Sequence, residues 1–407
     1  MARPAIQAAR TVNSVTDTQQ DMVLAQPVAA LSPNPVHRFW AVPMAALAIL
    51  TLFAILASSM LTAERFTSIK RPYAIVPSDA EQVEPRLKLE NVQRYPASGR
   101  ILFVTIREPQ LPLLSWLMFH NDDDIATRTY ADIYGTDTPA QLDTRGQRQM
   151  ITAQQSAEYA ALSKLGYPID LKPGAIVIDQ IICFKANAAG TKCEEEAPSG
   201  KVLKPDDQLV SIDGVAIKTV DDLTPVLAKH KPGDKVEVKY TRPGVTGTQT
   251  GTIELIASPK DKNRTIVGFY PFDTTTVGKA PFPITISTAG IGGPSAGLAF
   301  TLTLIDELTP GELTGGLEVA VTGTIDVNGK VGAIGGLPQK ASAVRQAGAK
   351  YFLVPASQSD IAEAQAVVGN DVKLIPVATL DEALAALTKL GGNGDKLGTP
   401  GKGYTPS

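Results

Sequence analysis

The alternation of apolar and polar positions divides the chain into stretches of distinct character. Residues 1–38 are polar, carry Arg3, Arg10 and Arg38, and show no sustained apolar period. From Phe39 to Ala63 no residue is charged, and Ala41–Leu61 is almost wholly apolar. At about 1.5 Å per residue such a run matches roughly 30 Å of hydrocarbon, so 39–63 is predicted to be one N-terminal transmembrane helix. A cleavable leader is not expected there, because the tail before it is long and polar.

Beyond residue 72 the pattern changes to short periodic segments. Arg100–Ile106 reads as a strand after a Pro-Ala-Ser-Gly turn, and 111–119 as an apolar helix. Asp143–Gly166 carries Met150, Ile151, Ala157, Ala160, Ala161 and Leu165 at helical spacing, with Gly166 as the stop. Residues 168–257 read as a unit of their own. It has a strand over Gly174–Ile182, a turn and hairpin over Val202–Gly214, a helix over Val220–His230 and a strand over Lys235–Thr241. From 258 to 390 the order is a strand near Pro283–Ser287, a helix after Ala296, a hairpin at Asn328-Gly329, a helix through Ala347 stopped by Gly348, a strand over Tyr351–Val354 and a helix over Leu380–Leu390. Residues 391–407 form a Gly/Pro-rich flexible tail. The succession predicts a mixed α/β (α+β) protein, with 72–167 the first part of the folded body.

Composition changes this picture little. With 407 residues there is room for two or three domains, and 38 basic against 41 acidic residues make no case for nucleic acid. No Gly-x-x-x-x-Gly-Lys-Ser/Thr loop occurs, and no cofactor motif is present. His120 with Asp122, Asp123 and Asp124 reads as a solvated acidic loop rather than a metal site, because no spaced second set of ligands follows.

The candidate chemistry lies in Ile291-Gly292-Gly293-Pro294-Ser295-Ala296-Gly297-Leu298, together with Gly335-Gly336-Leu337-Pro338-Gln339-Lys340. A serine at the sharp entry to an apolar helix needs a base to become a nucleophile. His37, His120 and His230 all lie far from it in sequence. A lysine serves in place of histidine when burial brings its pKa from about 10.4 toward 7–8. Gly292, Gly293 and Pro294 force a tight turn. The free amides of a helix start, here around Gly292, Gly293 and Ala296, suit a tetrahedral oxyanion. Asn328-Gly329 makes Lys330 a surface turn residue and a poor rival to Lys340.

Gly293-Pro294-Ser295-Ala296-Gly297, Val321-Thr322-Gly323-Thr324-Ile325 and Ile334-Gly335-Gly336-Leu337 with Lys340 resemble the proteolytic domain of the Lon proteases. The resemblance implies that Ser295 is the nucleophile and Lys340, 45 residues on, its base, with Thr322 orienting the amine. Ile291 and Gly292 depart from the acidic lead-in of that family. The Leu203-Lys204-Pro205-Asp206-Asp207 and Leu209–Gly214 segments resemble a PDZ domain, which implies binding of protein or peptide C-termini. The groove is expected between the Gly174–Ile181 strand and the Val220–His230 helix. The unit is expected to be inserted into the Lon-like body, whose resemblance covers about 90–170 and 265–390. The whole arrangement resembles the bacterial membrane-anchored PDZ-Lon (YlbL-like) proteases. It implies an ATP-independent serine endopeptidase acting on protein or peptide substrates, and by analogy a homo-oligomer. The competing reading is a catalytically inactive, membrane-tethered PDZ adaptor.

Orientation rests on opposed signals. Arg65, Lys70 and Arg71 against Arg38 favour a cytoplasmic body. Cys183 and Cys193, the two cysteines of the chain, suit a small disulfide in an oxidising compartment. The expectation adopted is a single-pass protein of the cell membrane with its body outside the cytoplasm.

Overall fold

The computed structural model describes residues 35–66, 72–119, 121–122, 124–134, 137–187, 193–258, 262–288 and 290–400. The polar tail up to residue 34, His120, Asp123 and the end of the C-terminal tail from 401 lie outside the described residues. The chain divides into two units, Met1–Ser59 and Met60–Ser407.

In the first unit lies most of a helix that runs over Pro35–Phe66, starting four residues before the apolar run and passing Pro43 unbroken. Val42, Leu47, Ile49, Phe53 and Ile55 on it are exposed. Among the described residues, no helix is long and apolar enough to cross a membrane.

The second unit is mixed α/β and holds two large sheets of six strands each. The first runs in the order Lys373–Val377, Tyr351–Pro355, Glu318–Val321, Arg100–Arg107, Tyr73–Gln82, Ala126–Arg128. Its first four strands are parallel to one another, and the last two add antiparallel. The Arg100–Arg107 run is apolar on both faces because it lies inside the sheet. Ile101 and Phe103 face one cluster with Leu298, Phe300 and Leu384, while Leu102 and Val104 face another with Leu337, Val344 and Phe352. The helices Gly297–Leu308 and Leu337–Ala347 therefore pack on opposite faces of one sheet.

The other sheet is antiparallel, in the order Gln249–Glu254, Lys235–Thr241, Gln208–Ile212, Ile176–Ile181, Phe269–Asp273, with the short strand Val215–Ala216 paired to Gln208–Ile212 off this path. Lys235–Thr241 alternates strictly, with Val236, Val238 and Tyr240 turned into a core of Ile178, Leu209, Ile212 and Phe269. In the chain this sheet falls between residues 73–128 and 318–377, which share the first sheet. Its last strand lies beyond residue 257, where the sequence pattern closes the unit.

The long helix differs from its sequence reading in two ways. It spans Pro139–Lys164 and starts earlier because Thr138 and Gln141 form a reciprocal capping box with Pro139 at the first position. Its buried stripe is Met150, Ala153, Ala157, Ala160, Ala161 and Leu162, whereas Ile151 is 55% exposed. At about 100° per residue, Ile151 points away from the side on which Met150 is buried. The expected Val220–His230 helix is shorter too: a 3-10 turn over Val220–Asp222, then α-helix over Leu223–Leu227.

Candidate active site

Gly297 opens the nucleophile helix because a side chain there would meet Ile325 Cγ2 at 3.1 Å and Ile325 N at 3.2 Å. Ala296 is its N-cap residue, and Ser295 sits just before, partly accessible. Two groups fix the serine's backbone: its carbonyl accepts from Gly323 N at 2.9 Å and from Thr322 Oγ1 at 3.2 Å. Thr322 and Gly323 directly continue the Glu318–Val321 strand past the end of the sheet, and Thr322 N donates to Leu353 O. The site thus lies beyond the carboxyl end of parallel strands, where open α/β sheets leave a crevice.

Lys340 reaches the same place from the other face. Gly336, at φ 66°, turns the chain into the helix Leu337–Ala347, and its carbonyl accepts from Lys340 N at 2.9 Å. A side chain on Gly336 would also lie 2.8 Å from Ile106 Cδ1, so glycine is required twice over. Lys340 is 3% exposed, and its Nζ lies 2.9 Å from Ser295 Oγ and 3.2 Å from Thr322 Oγ1. Among the described residues no carboxylate pairs with it, and burial pushes its pKa down to about 7.

The proton positions follow from the partners. The Thr322 hydroxyl donates to the Ser295 carbonyl, so toward Lys340 it accepts an N–H. The neutral amine then has its lone pair left for the Ser295 hydroxyl.

The structure corrects the oxyanion turn. Gly293, at φ 87°, donates its N–H to Gly146 O at 2.9 Å, so that amide is engaged. Pro294 has no N–H. Among the described residues, the amides of Ser295 and Ala296 have no backbone acceptor and remain available at the helix start. Gly146 went unnoticed in the sequence reading. Its signal was a lone glycine inside an amphipathic helix, which marks a close approach: Gly146 Cα packs against Gly292.

The expected peptide groove is corrected as well. Ile176–Ile181 is paired on both sides, with Gln208–Ile212 and Phe269–Asp273, so it offers no free edge. The edge strand is Phe269–Asp273. It and the Leu223–Leu227 helix line a cavity of about 750 Å³, which the dyad does not adjoin. Cys183 and Cys193 are joined as a disulfide in the hairpin of strands Cys183–Ala186 and Cys193–Glu196. Lys330 stands exposed in its turn.

The Lon protease (S16) C-terminal proteolytic domain matches residues 287–389, and a PDZ domain matches residues 168–255. The chain therefore joins a serine-peptidase domain of the Lon type to a PDZ domain. Among its relatives, Lon protease of Xanthomonas oryzae pv. oryzae is 40% identical over 93 residues, 23% of this chain and 11% of that protein. Lon protease of Chloroflexus aggregans is 40% identical over 92 residues, 22% of this chain and again 11% of the relative. The PDZ domain of the SdrC-like protein from Listeria monocytogenes aligns at 20% identity and a TM-score of 0.20, covering 25% of this chain and 90% of that one.

Proposed function

We propose that this chain is an ATP-independent serine endopeptidase that uses Ser295 and Lys340 as a nucleophile–base pair. The observation that carries the reading is a buried amine with no carboxylate partner among the described residues, 2.9 Å from a partly accessible serine hydroxyl. Neutral Lys340 takes the Ser295 proton as Oγ attacks the scissile carbonyl. The amides of Ser295 and Ala296 receive the oxyanion. The C–N bond then breaks as Lys340 returns the proton to the leaving amine. Water, deprotonated by the same lysine, hydrolyses the acyl ester. The chain holds no nucleotide-binding loop to drive unfolding, so flexible segments and unfolded proteins are its substrates.

The PDZ domain, in this reading, binds extended peptides by adding them as a strand to the Phe269–Asp273 edge. The uncharged 39–63 run is taken as a single-pass membrane anchor, and the Cys183–Cys193 disulfide supports a body that lies in an oxidising, extracytoplasmic compartment.

The test is covalent capture of Ser295 by a fluorophosphonate, together with hydrolysis of an unfolded protein without ATP. Labelling and kcat/KM are expected to fall roughly tenfold per pH unit below about 7, because protonated Lys340 has no lone pair to offer. Absence of labelling at every pH, with folded protein, favours the adaptor. Thr322→Val keeps the shape but removes the hydroxyl that accepts from Lys340. It is expected to lower kcat about tenfold with KM unchanged, which steady-state kinetics read directly.

A further inference from the structure

The cavity beside the edge strand is closed on one side by the PDZ domain and on the other by the protease body. Leu223, Leu227 and Tyr270 line the first wall; Leu142, Arg145 and Gln149 of the Pro139–Lys164 helix line the second. The two walls are joined through Arg145 and Asp137. The Arg145 guanidinium lies 4.0 Å over the Tyr270 ring, and Asp137 accepts from both Arg145, at 2.6 Å, and the Tyr270 hydroxyl, at 2.9 Å.

The residue after Arg145 is Gly146, whose carbonyl holds the Gly293 amide of the nucleophile turn. One turn of helix therefore touches the cavity on one side and the serine's turn on the other. A displacement at Arg145 is carried to Gly293 through a single peptide unit within a hydrogen-bonded helix. Gly293, a glycine at positive φ, changes its peptide orientation without side-chain strain. The dyad is already assembled, so what remains to be altered is the oxyanion side.

The charges of the cavity indicate the kind of occupant. Asp137 pairs with Arg145, and His230 lies against Asp213 and Asp234. Arg264 lines the cavity without an ion pair among the described residues, beside the start of the edge strand. A free carboxylate complements it.

We propose that this cavity is an effector site. An extended peptide with a free carboxyl terminus, lying along Phe269–Asp273, presses on Arg145, loosens the Gly146–Gly293 bond and frees the Gly293 amide to join the oxyanion donors. Occupancy thereby raises turnover at Ser295. The inference rests on the PDZ domain binding peptide and on the dyad being active.

The experiment uses the full chain, fluorescein-labelled casein as substrate, and a library of short synthetic peptides, each made with a free and with an amidated C-terminus. Basal hydrolysis without peptide reports on the dyad alone, and fluorescence anisotropy reports on peptide binding alone. A bound free-acid peptide is expected to raise kcat about fivefold with KM unchanged, within the usual range of coupling between sites, while its amide binds weakly. Thr224→Trp, on the exposed face of the groove helix, is expected to abolish peptide binding and the rise together. Arg145→Gln is expected to keep binding but lose the rise. Peptide binding with no change in kcat overturns the coupling, and a full rise in Arg145→Gln overturns the route through this helix. Failure of every peptide to bind overturns the peptide reading and the coupling with it.

Discussion

Lys340→Met is expected to lower kcat/KM by about 10³-fold or more and, in the same protein, to raise the free energy of unfolding. The first effect follows from removing the base that lies 2.9 Å from Ser295 Oγ. Ser295→Ala should reach a comparable floor and also abolish phosphonate labelling. The double variant should be no worse than either single one, because the two groups act as a unit. The second effect follows from burial. The amine titrates near 7 in the folded protein and at 10.5 when exposed, so the unfolded chain holds the proton more tightly between those values. Stability contributed by this residue therefore rises as pH climbs from about 7 to 10.5, and the full penalty is present below 7. Methionine has a similar unbranched stem, does not titrate and fills the same space. Urea denaturation at pH 6.5 should show the variant more stable by a few kcal/mol, with the advantage shrinking toward pH 10. A destabilised Lys340→Met, or one that retains wild-type turnover, would sink the assignment.

The trade has a structural basis that the sequence shows only in part. Ser295 and Lys340 were legible because each sits where local rules are strict. Pro294-Ser295-Ala296-Gly297 must turn into a helix against Ile325, and Gly336 must adopt positive φ under Ile106. Each such requirement leaves its mark on neighbouring residues. What the sequence could not show is which amides the turn keeps for itself. Gly293 donates to a carbonyl well over a hundred residues earlier in the chain, and no periodicity encodes that.

The same limit explains the groove. Strand pairing is a property of two segments, so Ile176–Ile181 looked like an edge until Phe269–Asp273 was seen to cover it. Phe269–Asp273 carries Pro271 and lies outside the stretch whose pattern marked the PDZ unit. The capping box at Thr138, by contrast, was written in the sequence and overlooked in favour of the apolar stripe further on. The apolar stripe itself was read correctly except at Ile151, where hydrophobicity was taken for burial.

Asp306→Asn is expected to stabilise the protein at pH 8 by on the order of 3 kcal/mol and to change little near pH 4. Asp306 lies near the end of the nucleophile helix, 3% exposed, with Oδ1 accepting from Leu313 N at 3.1 Å. Burial first, and then the negative charges of Glu84, Glu312 and Glu307, push its pKa up from 3.8 to about 7, against the opposing pull of the Leu313 amide. Here the folded state holds the proton more tightly than the unfolded one. Stability is therefore lost as pH rises from about 4 through 7, the reverse of the Lys340 contribution. Asparagine keeps the oxygen that Leu313 uses and never ionises, so it removes the loss without disturbing the contact. Taken together the two buried groups place a trough in the wild-type stability profile near pH 7, where Asp306 has begun to charge and Lys340 has only begun to discharge. The variant should flatten the acid side of that trough and leave the alkaline recovery, which belongs to the lysine, in place. An equal shift at pH 4 and pH 8 would show instead that Asp306 acts through packing, and no trough would remain, only the alkaline rise that belongs to Lys340.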